Sequence, residues 1–131
     1  MTTTSLETDP NIDALVNDLN QRYHDLTPEE RVKQLYQDFT QNEVMLTSSF
    51  AANSAFLLHL FSKIAHQQKV YFIDTGFHFI DTLEYKSKLA RLYDLKVEDV
   101  HPEEWKHDFT VSDKTWKTDP DFCCSINKVE P

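Results

Sequence analysis

The sequence predicts an α/β fold in which a parallel sheet follows an N-terminal helical segment. Three observations carry this expectation. Two early stretches repeat apolar residues at helical spacing. Past Glu43, short apolar runs of strand length alternate with longer helical stretches. Polar loops rich in Ser, Thr, Asn and Asp close the first two strand-like runs. The order β-α-β-α-β calls for a parallel sheet with right-handed crossovers.

The elements follow in chain order. Residues 1–8 are polar, and a disordered tip is expected there. Asp9-Pro10 reads as a helix cap with proline at the first helical position. Ile12, Leu15, Val16 and Leu19 then form one apolar face. Thr27-Pro28-Glu29-Glu30 is a capping-box pattern, and Val32, Leu35, Tyr36 and Phe39 repeat the helical spacing. Neither helix carries a chemical motif, so residues 1–42 read as a helical segment packed on the main fold. Residues 43–131 form the α/β domain. It opens with a buried strand at Val44–Thr47 and a helix capped by Asn53-Ser54, apolar on more than one face and expected to be well buried. A second strand at Val70–Ile73 follows, then a helix over Ile80–Tyr93 with Leu83, Leu89 and Leu92 inward, and a short strand at Val97–Val100. His101 to Asp121 reads as irregular. Asp119-Pro120 then caps a last helix bearing Phe122-Cys123-Cys124.

Composition bounds the chemistry. The chain is long enough for one modest core. Its formal net charge of −9 argues against nucleic acid or an acidic membrane as partner. No apolar run reaches the roughly 20 residues that cross a bilayer, and Met1-Thr2-Thr3-Thr4 does not open a signal peptide. A cytoplasmic location is therefore expected. An acidic chain with few arginines must rely on local donors and helix N-termini to hold an anion.

Three segments can carry chemistry. Thr47-Ser48-Ser49-Phe50-Ala51-Ala52-Asn53-Ser54 lies at the carboxyl end of a strand, where ligands bind in parallel sheets. Its hydroxyls, its loop N–H groups and a helix N-terminus suit a phosphate or sulfate; the alternative is a Ser/Thr-rich turn. Phe72-Ile73-Asp74-Thr75-Gly76-Phe77-His78 holds the only glycine of the chain, just after a strand. Gly76 permits positive φ or a close approach to ligand, and Asp74 can accept from an adenine amino group or ribose hydroxyls. The alternative is a tight turn with Asp74 as helix cap, and His78 reads as a loop histidine. Cys123-Cys124-Ser125-Ile126-Asn127-Lys128 holds both cysteines. Adjacent residues are a poor disulfide pair. They can instead supply two of the four thiolates of a [4Fe–4S] cluster, with Lys128 about one turn away, or be two small buried residues.

Together these segments resemble the phosphoadenylylsulfate/adenylylsulfate reductase family, relatives of the PP-loop ATP pyrophosphatases. The Ser-Ser-Phe loop is similar to a modified PP-loop, and Ile73-Asp74-Thr75-Gly76 to the family's Asp-Thr-Gly segment, followed by Thr82-Leu83-Glu84-Tyr85. Cys123-Cys124 with Lys128-Val129-Glu130-Pro131 resembles the motif that marks the cluster-containing, adenylylsulfate-using branch. The resemblance implies a PP-loop (adenine nucleotide α-hydrolase-like) fold, incomplete at its C-terminus. It implies Ser48, Ser49 and Phe50 at the sulfate and phosphate end of the substrate, with Asn53 also among the substrate-binding residues. Asp74, Thr75 and Gly76 would lie against adenosine, Cys123 and Cys124 on a [4Fe–4S] cluster, and Lys128 between cluster and substrate. The implied reaction converts adenylylsulfate to sulfite and AMP, in sulfate assimilation and cysteine biosynthesis, with phosphoadenylylsulfate as the alternative substrate. Thioredoxin or glutaredoxin and a homo-oligomer are the implied partners, with no nucleic acid and no membrane. The nucleophilic cysteine, a second cysteine pair and the substrate arginines are expected beyond residue 131, so this chain alone is expected to be inactive. Ala51 stands where many members have glycine, and Ile80-Asp81 replaces a Pro-Glu-type stretch. The alternatives are a PP-loop adenylyltransferase, such as the sulfate adenylyltransferase small subunit, which has no use for the cysteine pair, and a non-catalytic nucleotide-binding fragment.

Overall fold

The computed structural model describes residues 9–131, in two compact units that divide between Thr40 and Gln41. The tip expected to be disordered, residues 1–8, lies outside the described residues.

The first unit is a pair of helices, α1 (Pro10–Tyr23) and α2 (Pro28–Asp38). Their starts are as the sequence predicts. The Asp9 carboxylate accepts from the Asn11 N–H at 2.9 Å. Thr27 and Glu30 close a reciprocal capping box, at 3.2 and 2.8 Å. The predicted apolar face of α1 is not buried: Ile12, Leu15 and Val16 are 56%, 50% and 46% exposed. A polar clamp joins the two helices instead. Arg22 Nη1 donates to both Asp38 oxygens, at 2.9 and 3.0 Å, and the Tyr23 hydroxyl donates to the same carboxylate. Arg31 donates to the carbonyls of Tyr23 and His24, each at 3.0 Å.

The second unit is built on three parallel strands: β1 (Leu46–Thr47), β2 (Lys69–Ile73) and β3 (Lys96–Val100), in the order β1-β2-β3. Leu46 pairs with Val70, and Lys69 through Ile73 pair with Lys96 through Val100. The first strand is shorter than predicted. Met45 is exposed, and the Gln68 side chain donates to the Val44 carbonyl at 3.0 Å, in place of a ladder bond. On β2, Val70 and Phe72 are buried while Tyr71 and Ile73 are half-buried, the alternation of a sheet packed closely on one face. Strand β3 buries no residue. It is an edge strand laced with charge, with Lys69 on Glu98 at 3.0 Å and Lys86 on Asp99 at 2.7 Å.

Two helices cross between the strands: α3 (Ala55–Ile64) and α4 (Ile80–Leu92). In α3, Leu58, Leu60 and Phe61 are buried, but Phe56 and Leu57 are exposed, so it is less enclosed than its composition predicts. Asn53 and Ser54 do not cap it through their side chains; they form a 3-10 turn at Ala52–Ser54. In α4, Leu89 is buried and Leu83 half-buried, while Leu92 is exposed, against expectation. The core gathers Leu46, Phe50, Leu58, Phe61, Val70, Phe72 and Leu89. Phe50 meets Phe72 edge to face, centroids 5.6 Å apart, worth about 1 kcal/mol beyond area burial.

The segment expected to be irregular is largely helical: α5 (Glu104–Ser112) and α6 (Thr115–Thr118), with Lys114 left-handed between them at φ 53°. The buried residues of α5 and α6 are Thr110 and Thr115, so the apolar periodicity that betrays a helix is missing. Then come α7 (Pro120–Cys124), capped by Asp119 as predicted, and a π turn at Ser125–Val129.

The Asp38 clamp sets a pH signature in the first unit. Hydrogen bonds from Tyr23 and then Arg22 hold the Asp38 carboxyl below its usual range. Burial, and then the bond to Asp38, push the Tyr23 phenol up to about 12. The lowered Asp38 value stabilises the folded state above the ordinary carboxylate pKa of about 3.9 and loses that effect as pH falls through the folded value. The raised Tyr23 value stabilises below about 10 and loses its effect as pH rises through the folded value. NMR titration of the Tyr23 ring is expected to show a midpoint near 12. In Asp38→Asn the midpoint should fall yet stay above about 10, because burial is the larger cause. An unshifted Tyr23 would contradict the clamp.

Candidate functional site

Parallel pairing brings the loops after β1, β2 and β3 to one edge of the sheet. The Ser48 N–H donates to the Tyr71 carbonyl at 3.1 Å, and the Asp74 N–H to the Val100 carbonyl at 2.9 Å, so each loop starts from a held backbone.

In the first loop the Ser48 hydroxyl oxygen accepts from the Phe50 N–H at 3.0 Å. That oxygen keeps its own hydrogen to donate. Two of this loop's N–H groups, those of Ser48 and Phe50, are thus already engaged within the protein. Phe50 sits at φ 53°, a left-handed conformation unusual for a bulky residue. Its ring is 1% exposed against Phe72, so its side chain belongs to the core and does not line the anion end as the resemblance implies. Asn53 lies exposed in the turn before α3.

In the second loop Asp74 is not a helix cap, since α4 starts only at Ile80. Its Oδ1 accepts from the Gly76 N–H at 3.0 Å, and Thr75 Oγ1 accepts from the Phe77 N–H at 3.2 Å. Gly76 has φ 79°, and a Cβ there would stand 2.7 Å from His107 Nε2. Glycine is required twice over, by conformation and by the imidazole packed against it.

Two neighbouring cavities open at this edge. One, of about 410 Å³, is lined by Thr47, Ser48, Ser49, Tyr71, Ile73, Thr75, His78 and Lys128. The other, of about 340 Å³, is lined by Thr75, Phe77, Trp116, Pro120, Cys123, Cys124, Asn127 and Lys128. Thr75 and Lys128 belong to both. Hydroxyls of Ser48, Ser49 and Thr75 with the Lys128 ammonium make a donor set suited to an anion. Asp74 and Gly76 face a different hollow, with His101, Pro102, Glu104 and His107. The Asp-Thr-Gly segment is therefore split, with Thr75 on the hydroxyl side and its neighbours behind.

Cys123 is buried and Cys124 exposed, and both thiols are free. Among the described residues no group of three or more His, Cys, Asp or Glu is disposed to hold a metal. Both cysteines line one cavity, and two thiolate donors are half the ligand set of a four-thiolate centre. Their segment is anchored on α5. Lys106 bonds Glu130 at 2.8 Å, which raises the Lys106 pKa, and His107 bonds Asn127 at 2.8 Å. Sequence reasoning missed Tyr71, His107, Trp116 and Asn127. It also set His78 aside, although its Nε2–H donates to the Ile73 carbonyl at 3.0 Å and its ring lines the hydroxyl cavity. A tryptophan in a polar stretch was the one available signal.

The profile of the phosphoadenosine phosphosulfate reductase domain matches residues 43–131. The chain belongs to that family. An adenosine 5'-phosphosulfate reductase from Chelativorans sp. is 38% identical over 128 residues, covering 94% of this chain and 51% of that protein. A phosphoadenosine 5'-phosphosulfate reductase from Gloeobacter violaceus is 33% identical, covering 86% and 48%. The chain spans about half the length of the curated relatives it matches. The crystal structure of the phosphoadenylyl-sulfate reductase of Candida auris, a phosphate complex, superposes with a TM-score of 0.77 at 24% identity, over 97% of this chain and 62% of that one. The reductase domain fold, an α/β parallel sheet of PP-loop type, is thereby the fold of this chain. Among the described residues no helix is long and apolar enough to cross a membrane.

Gly76→Ala is expected to lower unfolding free energy by about 1–3 kcal/mol, from the left-handed backbone alone. The clash with His107 adds to that, so His107→Ala in the same chain should restore part of the loss. Denaturant melts of the two single variants and the double variant check this; strict additivity would contradict the contact.

Proposed function

We propose that this chain is the N-terminal part of an assimilatory sulfonucleotide reductase. It reduces adenylylsulfate to sulfite and AMP, with thioredoxin or glutaredoxin as electron donor, in sulfate assimilation and cysteine biosynthesis. The observation that carries the reading is the pair of adjoining cavities. One is lined by hydroxyl-bearing residues, the other by the two cysteines, and both share Thr75 and Lys128. Family membership and the names of relatives at 38% and 32% identity support adenylylsulfate as the substrate.

Ser48, Ser49 and Thr75 would donate to the anionic sulfate and phosphate oxygens, and the Lys128 ammonium would offset their charge. Tyr71 and Ile73 provide an apolar wall beside them. Phe50 serves through the core, by holding its loop, and Asn53 stands at the turn that follows. Asp74 and Gly76 shape the loop that carries Thr75. Cys123 and Cys124 would hold a [4Fe–4S] cluster, with its other two ligands from elsewhere in the protein. When bound, the cluster supplies a charged iron–sulfide centre beside the substrate anion. A further cysteine, expected beyond residue 131, attacks the sulfur of adenylylsulfate as its thiolate. An S–S bond forms, the S–O bond to AMP breaks, and AMP departs with the electron pair. The dithiol of thioredoxin then reduces the S-sulfonate, releasing sulfite and becoming a disulfide. A cytoplasmic location fits this electron donor.

A protein of the relatives' length that begins with this chain is expected to be brown after anaerobic purification and to release sulfite from adenylylsulfate with reduced thioredoxin. Lys128→Ala should lower kcat/KM by about 10²–10³-fold, the usual loss for one charge-stabilising donor. Iron-free protein without sulfite release would refute the proposal. In the 131-residue chain, AMP titrated calorimetrically should bind saturably, and Ser48→Ala should weaken it about tenfold.

A further inference from the structure

One buried carboxamide stands behind the cysteine pair. Asn127 is 2% exposed, and every polar atom of its side chain is engaged. Its Nδ2 donates to Thr110 Oγ1 and to the Cys123 carbonyl, each at 3.0 Å, and reaches Cys123 Sγ at 3.6 Å. Its Oδ1 meets His107 Nδ1 at 2.8 Å. The amide orientation follows from chemistry. A flipped amide would turn its oxygen onto the Cys123 carbonyl, two acceptors facing each other. The Oδ1 therefore accepts, and His107 Nδ1 carries the proton. Thr110 completes the set: its hydroxyl donates to the His107 carbonyl at 2.7 Å and accepts from Asn127. His107 is itself confined, with its ring 5.2 Å from that of Phe77 and its edge filling the space beside Gly76.

From this we infer that Asn127 is a positioning residue for Cys123. Braced by His107 and Thr110, its amide ties the cysteine's carbonyl and sulfur together and so holds the buried thiol in one orientation toward the cavity it shares with Cys124 and Lys128. Asn127 follows Cys123 by four residues, as Lys128 follows Cys124, so the helical turn that ends in the π segment buries the first pair and exposes the second, while all four line the same cavity. An unbraced cysteine side chain populates several staggered rotamers, and each aims its sulfur differently. The same amide offers an N–H to that sulfur, a contact that tunes thiolate-held clusters. The inference deepens the proposed role of the cysteine pair, yet it concerns the thiol alone and does not require iron.

The test uses the metal-free, isotopically labelled chain and reads the Hα–Hβ couplings of Cys123 by NMR. The native chain is expected to show one large and one small coupling, the pattern of a single rotamer. Asn127→Leu, which removes both functions, and Asn127→Asp, which keeps the acceptor for His107 but loses the donors, should each average the Cys123 couplings while leaving those of Cys124 unchanged. Asn127→Gln should restore the unequal pattern in part. If the Asn127 variants do not fold, His107→Leu decides, since its apolar side chain has no donor for Asn127 Oδ1 and the site is half-buried; it should also average Cys123. Unchanged Cys123 couplings in these variants, or averaged couplings in the native chain, would overturn the inference. Failure to load iron in the longer protein would instead bear on the cluster and leave this result standing.

Discussion

Strand β2 is the element on which the rest depends. It is hydrogen-bonded in parallel on both sides, to β1 over Leu46 and Thr47 and to β3 over its full length. It also supplies the two deepest side chains of the sheet, Val70 and Phe72. Parallel pairing sends every strand's carboxyl end to the same edge, so three chemically different loops become neighbours. The backbone bonds Ser48 to Tyr71 and Asp74 to Val100 carry the ladder one residue past each strand. That extra step aims the Ser48 and Thr75 hydroxyls into a common hollow.

The cysteine-bearing segment is held differently. It has no strand to pin it and little apolar surface to bury beyond Cys123 and Ile126. Polar contacts from one face of α5 do the work: Lys106 to Glu130, and His107 and Thr110 to Asn127. Such contacts are directional, so they hold a segment at a defined angle where apolar packing would permit sliding. Through His107, the same helix touches the Gly76 turn that carries Thr75. The two cavity walls thus share one support.

Charge also has a local logic. The chain is acidic overall, and several of its cations are matched at short range: Arg22 with Asp38, Lys69 with Glu98, Lys86 with Asp99 and Lys106 with Glu130. Lys128 is the basic residue that lines both cavities. A single ammonium among hydroxyls, on an acidic background, attracts an anion by contact chemistry and not by a broad positive field.

The sequence alone determined what depends on near neighbours. Helix starts at Asp9-Pro10, Thr27-Pro28 and Asp119-Pro120 are set by side chains within three residues of the bonds they make. The succession of strands and helices, and with it a parallel sheet, followed from apolar runs of strand length, and family likeness from three short motifs. Tertiary structure decided the rest. The polar inward faces of α5 and α6, Thr110 and Thr115, left no apolar period to read. The exposure of α1's apolar face and of Leu92 depends on which partner each helix meets, and periodicity does not name the partner. Phe50 went to the core rather than the anion end because its left-handed backbone turned the ring onto Phe72. Asn127 acquired its place from His107 and Thr110, residues 20 and 17 positions away, which only the packing of α5 against the π turn brought within hydrogen-bond reach.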